Sequence, residues 1–190
     1  MRSLSNPIVS LNRVRPLQAF DVDGVRFTFP TSCSATQYDG WAFYRKQVNR
    51  IPGIKAADLV AIMQNASTAY LVEVKDYRGD PRTQERRMRT KPSELPVEVA
   101  EKVSHTLGGV LAARTQARDA GEQGAADAVC RAGRLRIVLH LEQSSGSRLF
   151  PRIVDPANLQ TKLRRLLKAV DPHAAVVSAA SMGDLPRTVD

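Results

Sequence analysis

Residues 58–77 read DLVAIMQNASTAYLVEVKDY, two strongly apolar runs separated by a short polar break. Asp58 to Met63 predicts one strand and Ala69 to Tyr77 a second, with Gln64-Asn-Ala-Ser67 as the turn between them. With Asn65-Ala66 at the centre of that turn, Leu59 faces Val72 and Asp58 faces Glu73. Side chains alternate along a strand, so Asp58, Glu73 and Lys75 project from one face. Leu59, Ala61, Met63, Val72 and Val74 project from the other, where they can build a core.

That register gathers two carboxylates and an ammonium. Carboxylates held a few ångströms apart repel, and at least one holds its proton to higher pH unless a cation sits between them. Hard oxygen ligands select Mg²⁺ or Mn²⁺. Such an ion positions and acidifies a water and stabilises charge on a phosphoryl oxygen, while a neighbouring ammonium acts on that water or on the transition-state charge. The bland reading of the same trio is a cross-strand salt bridge on the surface, worth about 0–1 kcal/mol.

Outward from the hairpin, Asp23-Gly24 marks a turn, and Val25, Phe27 and Phe29 alternate in a strand that Pro30 ends. Residues 1–18 predict an irregular N-terminal arm, and Thr31 to Thr36 a small polar loop. Tyr38 to Ile51 predicts a helix through Trp41, Tyr44 and Val48, with an extended alternative open. Its aromatic residues suit the core or, less commonly, stacking on bases.

Residues 78–93 carry six basic side chains with no apolar period, which predicts a long exposed loop. Ser93 caps a helix to about Arg118, with Leu95, Val99, Val103 and Leu107 on its buried stripe. Residues 117–131 read as a weak helical extension or a mobile connection. Leu135, Ile137, Leu139 and Leu141 alternate in another strand. Asp155-Pro156 opens a basic amphipathic helix to about Val170, Ala174 to Ala180 predicts a last strand, and residues 183–190 a loose tail. The elements predict a single α/β domain over residues 19–182, a mixed β-sheet flanked by helices.

A net charge of +9 over 190 residues gives a positive field that attracts polyanions, of which nucleic acid is the commonest, and ribosome-associated proteins and membrane-surface binders share that charge. Arg45, Lys46, Arg78, Arg82, Arg86, Arg87, Arg89 and Lys91 are the candidate phosphate contacts. No apolar run approaches the roughly 20 residues of a bilayer span, and the first residues lack the apolar stretch of a secretory signal. Cys33 and Cys130 have no metal-ligand spacing, so a reducing, cytoplasmic setting is expected. His105, His140 and His173 are scattered and read as structural or exposed rather than zinc-binding.

Asp58, a strand and turn, then Glu73-Val74-Lys75 resembles the PD-(D/E)XK, or restriction-endonuclease-like, nuclease superfamily, with Ala57 in place of its proline. The resemblance implies an αβββαβ core over roughly residues 25–180. It implies that Asp58, Glu73 and the Val74 backbone carbonyl hold Mg²⁺ (or Mn²⁺), that Lys75 acts on the attacking water, and that Asp39 is the auxiliary acid. The Gln-xxx-Tyr motif of the RecB-like branch is absent after Lys75. The expected activity is metal-dependent hydrolysis of nucleic acid, with DNA as the expected polymer and a homodimer as one way to cut both strands. The alternatives are a non-catalytic nucleic-acid-binding or interaction module on the same fold, or a structural protein of RNA assemblies.

Overall fold

The computed structural model describes residues 17–65, 67–78, 91–144, 153–181 and 185–189. Strands β1 (Gln18–Val22) and β2 (Val25–Phe29) form a hairpin whose turn holds Asp23 at φ 48° and Gly24 at φ 81°. Positive φ at both turn residues matches the twist of the flanking strands, and Asp-Gly is a favoured pair there. The sequence pattern predicts no strand at β1 and a polar loop over residues 31–36. Instead Cys33–Gln37 is strand β3, with Cys33 and Ala35 buried. Its residues are small and partly polar because it is an edge strand, paired on one side only with β4 (Leu59–Met63).

Between β3 and β4 the expected long helix is two short pieces, α1 (Ala42–Lys46) and a 3₁₀ turn at Val48–Arg50. Tyr38, Trp41 and Tyr44 are buried there against one another, so they serve the core and are not available to stack on bases. Strand β5 (Thr68–Tyr77) returns antiparallel to β4, and Leu59 faces Val72, the register that the sequence predicts.

Two parallel additions follow, and each needs a crossover. Helices α2 (Leu95–Gln116) and α3 (Ala120–Arg131) lead from β5 to β6 (Arg134–Gln143). Helix α4 (Pro156–Leu166), capped by Asp155 as its sequence predicts, leads to β7 (Ala175–Val177). The central sheet is thus β3-β4-β5-β6-β7. Residues 117–131 hold a discrete helix: Asp119 caps α3 by accepting from the Glu122 N–H, and the Glu122 carboxylate accepts the Ala42 and Phe43 N–H groups that open α1.

The expectation of one apolar and one polar hairpin face is corrected. Both faces are buried. Val60, Ile62 and Leu71, on the side of Glu73, pack under the helices with Val99, Val103 and Leu163. Leu59, Val72 and Val74 pack on the other side with Val25, Phe27 and Phe29. Residues 185–189, within the tail expected to be loose, are held in place: Leu185 and Arg187 are buried, and β8 (Thr188–Val189) pairs with β2 to make a three-stranded sheet, β1-β2-β8. The molecule is therefore an α/β structure with two sheets, the larger flanked by helices. Among the described residues no helix is long and apolar enough to cross a membrane.

Candidate active site

Asp58 sits where β4 stops. Its N–H donates to the Val72 carbonyl (3.1 Å) and its carbonyl accepts from Tyr38 N–H (2.9 Å). The preceding residue leaves the ladder, since Ala57 N–H donates to Thr106 Oγ1 on α2 (2.9 Å). The Asp58 side chain takes up the pairing that the backbone abandons, and Oδ2 accepts the Val74 N–H at 2.7 Å. In a strand the N–H and C=O of one residue point to the same edge. The Val74 carbonyl therefore lies on the edge that Asp58 occupies, past the end of β4.

Glu73 is 2% exposed, under α2. Its Oε1 accepts from Lys75 Nζ (2.9 Å) and Lys102 Nζ (2.5 Å), while Oε2 has no hydrogen-bond partner. Lys75 Nζ also lies 3.4 Å from Glu98 Oε1. Burial pushes the Asp58 carboxyl up to about 7, and the charge of Glu73 adds to that, against Lys102 and Lys75. For Lys75 burial pulls downward, but Glu73, Glu98 and Asp58 outweigh it and raise its pKa, so the side chain stays an ammonium.

The hairpin register thus brings together Asp58, Glu73 and Lys75, and the site extends to Glu98 and Lys102, which the sequence reading missed. They lie four residues apart on α2, each just before a residue of its buried stripe, Val99 or Val103. A charged pair at that spacing beside core positions is a readable signal of a helix face turned toward polar company. The same helix anchors the approach to Asp58: His105 Nδ1 accepts the Lys55 N–H (3.0 Å) and Thr106 accepts that of Ala57.

Asp39 is exposed in the turn after β3, and among the described residues no hydrogen bond or ion pair joins it to Asp58, Glu73 or Lys75. The acid set beside Lys75 is Glu98. Arg45 and Lys46 are exposed on α1, and Lys91 is exposed before α2. Arg78 grips Asp76 through Nε and Nη2 (both 2.9 Å). Arg82, Arg86, Arg87 and Arg89 lie outside the described residues.

Among the described residues there is no cluster of three or more His, Cys, Asp or Glu suited to a metal ion. A cation at this site would rest on Asp58, Glu73 and the Val74 carbonyl. That donor set fits Mg²⁺, which typically takes one or two carboxylates and keeps several waters. The unpartnered, buried Glu73 Oε2 is the oxygen best placed to gain by it, since an unsatisfied buried carboxylate oxygen is costly.

No protein-family model matches this chain, and no solved structure matches it. Among curated proteins, a cysteine–tRNA ligase from Neisseria meningitidis (serogroup A / serotype 4A) is 28% identical over 160 residues, covering 70% of this chain and 22% of that protein. The chain thus corresponds to about a fifth of the length of that relative.

Proposed function

We propose that the chain is a Mg²⁺-dependent nuclease with a restriction-endonuclease-like core, hydrolysing phosphodiester bonds of DNA. The observation that carries this reading is the convergence at the end of β4. Asp58 reaches across to the edge of β5 at Val74, and the neighbouring Glu73 keeps one buried oxygen without a partner. The strand and helix order from β3 to β7, with a meander followed by parallel crossovers, supports the same core.

Asp58, Glu73 and the Val74 carbonyl would hold the ion, which supplies an acidified water and charge stabilisation at the phosphoryl oxygen. Lys75 is kept protonated by its acidic neighbours, so it orients the attacking water and meets developing negative charge as an ammonium. It does not take the proton. Lys102 keeps Glu73 paired, and Glu98 fixes Lys75 from the other side. Arg45, Lys46 and Lys91 offer exposed positive charge for phosphate contacts, whereas Arg78 is engaged with Asp76.

A second reading has its own observation. Two ammoniums already share Glu73 Oε1, so the carboxylate has cationic partners without a metal. That suits a module that binds nucleic acid without cutting it. The cysteine–tRNA ligase similarity makes RNA the second polymer to test. The experiment is incubation with supercoiled plasmid, linear single- and double-stranded DNA, and tRNA, in Mg²⁺, Mn²⁺ or EDTA. Cutting of DNA only with metal, reduced about 10²–10³-fold by Lys75→Ala, supports the nuclease. Salt-sensitive binding with no cutting of any substrate supports the binding module instead.

A further inference from the structure

The small sheet does not cover all of the central sheet's second face. Beside Tyr70 of β5, Val138 of β6 and Val177 of β7 there is a cavity of about 390 Å³, walled on one side by Leu185. Its volume falls within the roughly 300–1,000 Å³ of small-molecule sites. Its floor is apolar and its remaining walls are basic: Arg136, Arg164 and His173 line it.

Those basic side chains come from three elements and are held by one turn. Arg136 stands next to Tyr70 in the β5–β6 register, and its Nη1 lies 3.7 Å from Oδ1 of Asp171, which is 2% exposed. The same carboxylate accepts the Ile137 N–H (2.8 Å) and the His173 N–H (2.9 Å), fixing the chain that carries His173. Arg164 of α4 donates through Nε to the Ala174 carbonyl (3.1 Å) of that turn. A guanidinium is a planar fork that suits phosphate, and an aromatic ring above aliphatic side chains suits a flat base.

We propose that this cavity binds a nucleoside monophosphate unit, with its phosphate at Arg136 and Arg164 and its base over Tyr70 and Val138. Tyr70 and Val138 belong to the face packed on the small sheet, and Glu73 to the face under the helices, so this site is separate from the candidate active site. The inference does not rest on nuclease activity. The unit is either a free nucleotide or the phosphorylated end of a polynucleotide.

Calorimetric titration of the full chain with AMP, adenosine and inorganic phosphate tests it. AMP is expected to saturate one site and to bind about tenfold or more tightly than either fragment. Arg164→Ala, at an exposed position, should weaken AMP about tenfold with a melting temperature only a few degrees lower, from loss of its bond to the Ala174 carbonyl, and Arg136→Ala should weaken AMP likewise. Glu73→Gln should leave AMP affinity intact. Displacement of AMP by a 5′-phosphorylated oligonucleotide identifies the polymer end as the source, and failure to displace it identifies the free nucleotide. Absence of saturable AMP binding, or AMP binding lost in Glu73→Gln but kept in Arg164→Ala, overturns the proposal.

Discussion

Asp58 carries a cost that shows in its titration. In the unfolded chain its carboxyl titrates near 3.8, and burial followed by the charge of Glu73 raises it to about 7 in the fold. The folded protein therefore binds the extra proton between those values, and the contribution of Asp58 to stability falls as pH rises from about 4 to about 7. Asp58→Asn keeps an oxygen for the Val74 N–H and removes the charge. Without metal it is expected to stabilise the protein by about 1–3 kcal/mol at pH 8, and less at pH 5. Melting curves in EDTA at the two pH values check this, and equal gains at both would sink it. The same variant should lose cleavage, because one of the carboxylates proposed to hold the ion is gone. Stability sacrificed at a residue for the sake of chemistry is what a functional carboxylate predicts, whereas a salt bridge kept for stability would show the reverse.

At the level of elements, α2 is held close to the loop after β3 by a glycine. A Cβ on Gly109 would collide with the Tyr38 hydroxyl oxygen and lie 3.2 Å from its Cζ, and Tyr38 is fully buried. The adjacent Gly108 has nothing within 4 Å of the same position. Gly109→Ala is expected to destabilise by about 1–3 kcal/mol, and Gly108→Ala to stabilise by up to about 1 kcal/mol through helix propensity. Denaturant midpoints of the pair measure both signs. This contact also shows what the sequence could and could not convey. The β4–β5 register was readable because a turn and two apolar runs are local, and the Asp58–Glu73 juxtaposition follows from it. Strand β3 was not, because Cys-Ser-Ala-Thr-Gln has neither the β-branched density nor the bulk of a central strand, and its identity comes from its partner β4. The Glu98–Lys102 spacing marks a polar helix face, but that this face meets the triad is set by a crossover, not by neighbouring residues.

For the molecule as a whole, the C-terminal segment holds the two sheets together. Arg187 Nη2 lies 2.5 Å from His140 Nδ1, and its guanidinium sits 5.5 Å from the centre of the Phe27 ring. His140 Nε2 is 2.8 Å from Glu142 Oε1, close but not aligned for a hydrogen bond, and Glu142 Oε1 also accepts the Ala179 N–H (2.6 Å). Burial, followed by the charge of Arg187, pushes the imidazole down to about 4, so the fold holds it neutral. The unfolded chain takes up that proton first, so the contribution of His140 to stability falls as pH drops from about 6.5 toward 4, opposite in sign to that of Asp58. His140→Gln should remove that contribution, so that melts across that range show the variant gaining more stability on acidification than the wild type does. Removal of residues 185–190 should lower the melting temperature by several degrees, since Leu185 and β8 leave the core. None of this was visible in a tail whose apolar residues are sparse and whose partner strand lies some 160 positions earlier. The central claim concerns Asp58 and Glu73, and its most direct measurement is Mn²⁺ binding followed by electron paramagnetic resonance, with Mg²⁺ as competitor. The account predicts a bound ion in the wild-type protein, displaced by Mg²⁺ and lost in a folded Glu73→Gln variant. Equal Mn²⁺ binding in both proteins, or none in either, would contradict it.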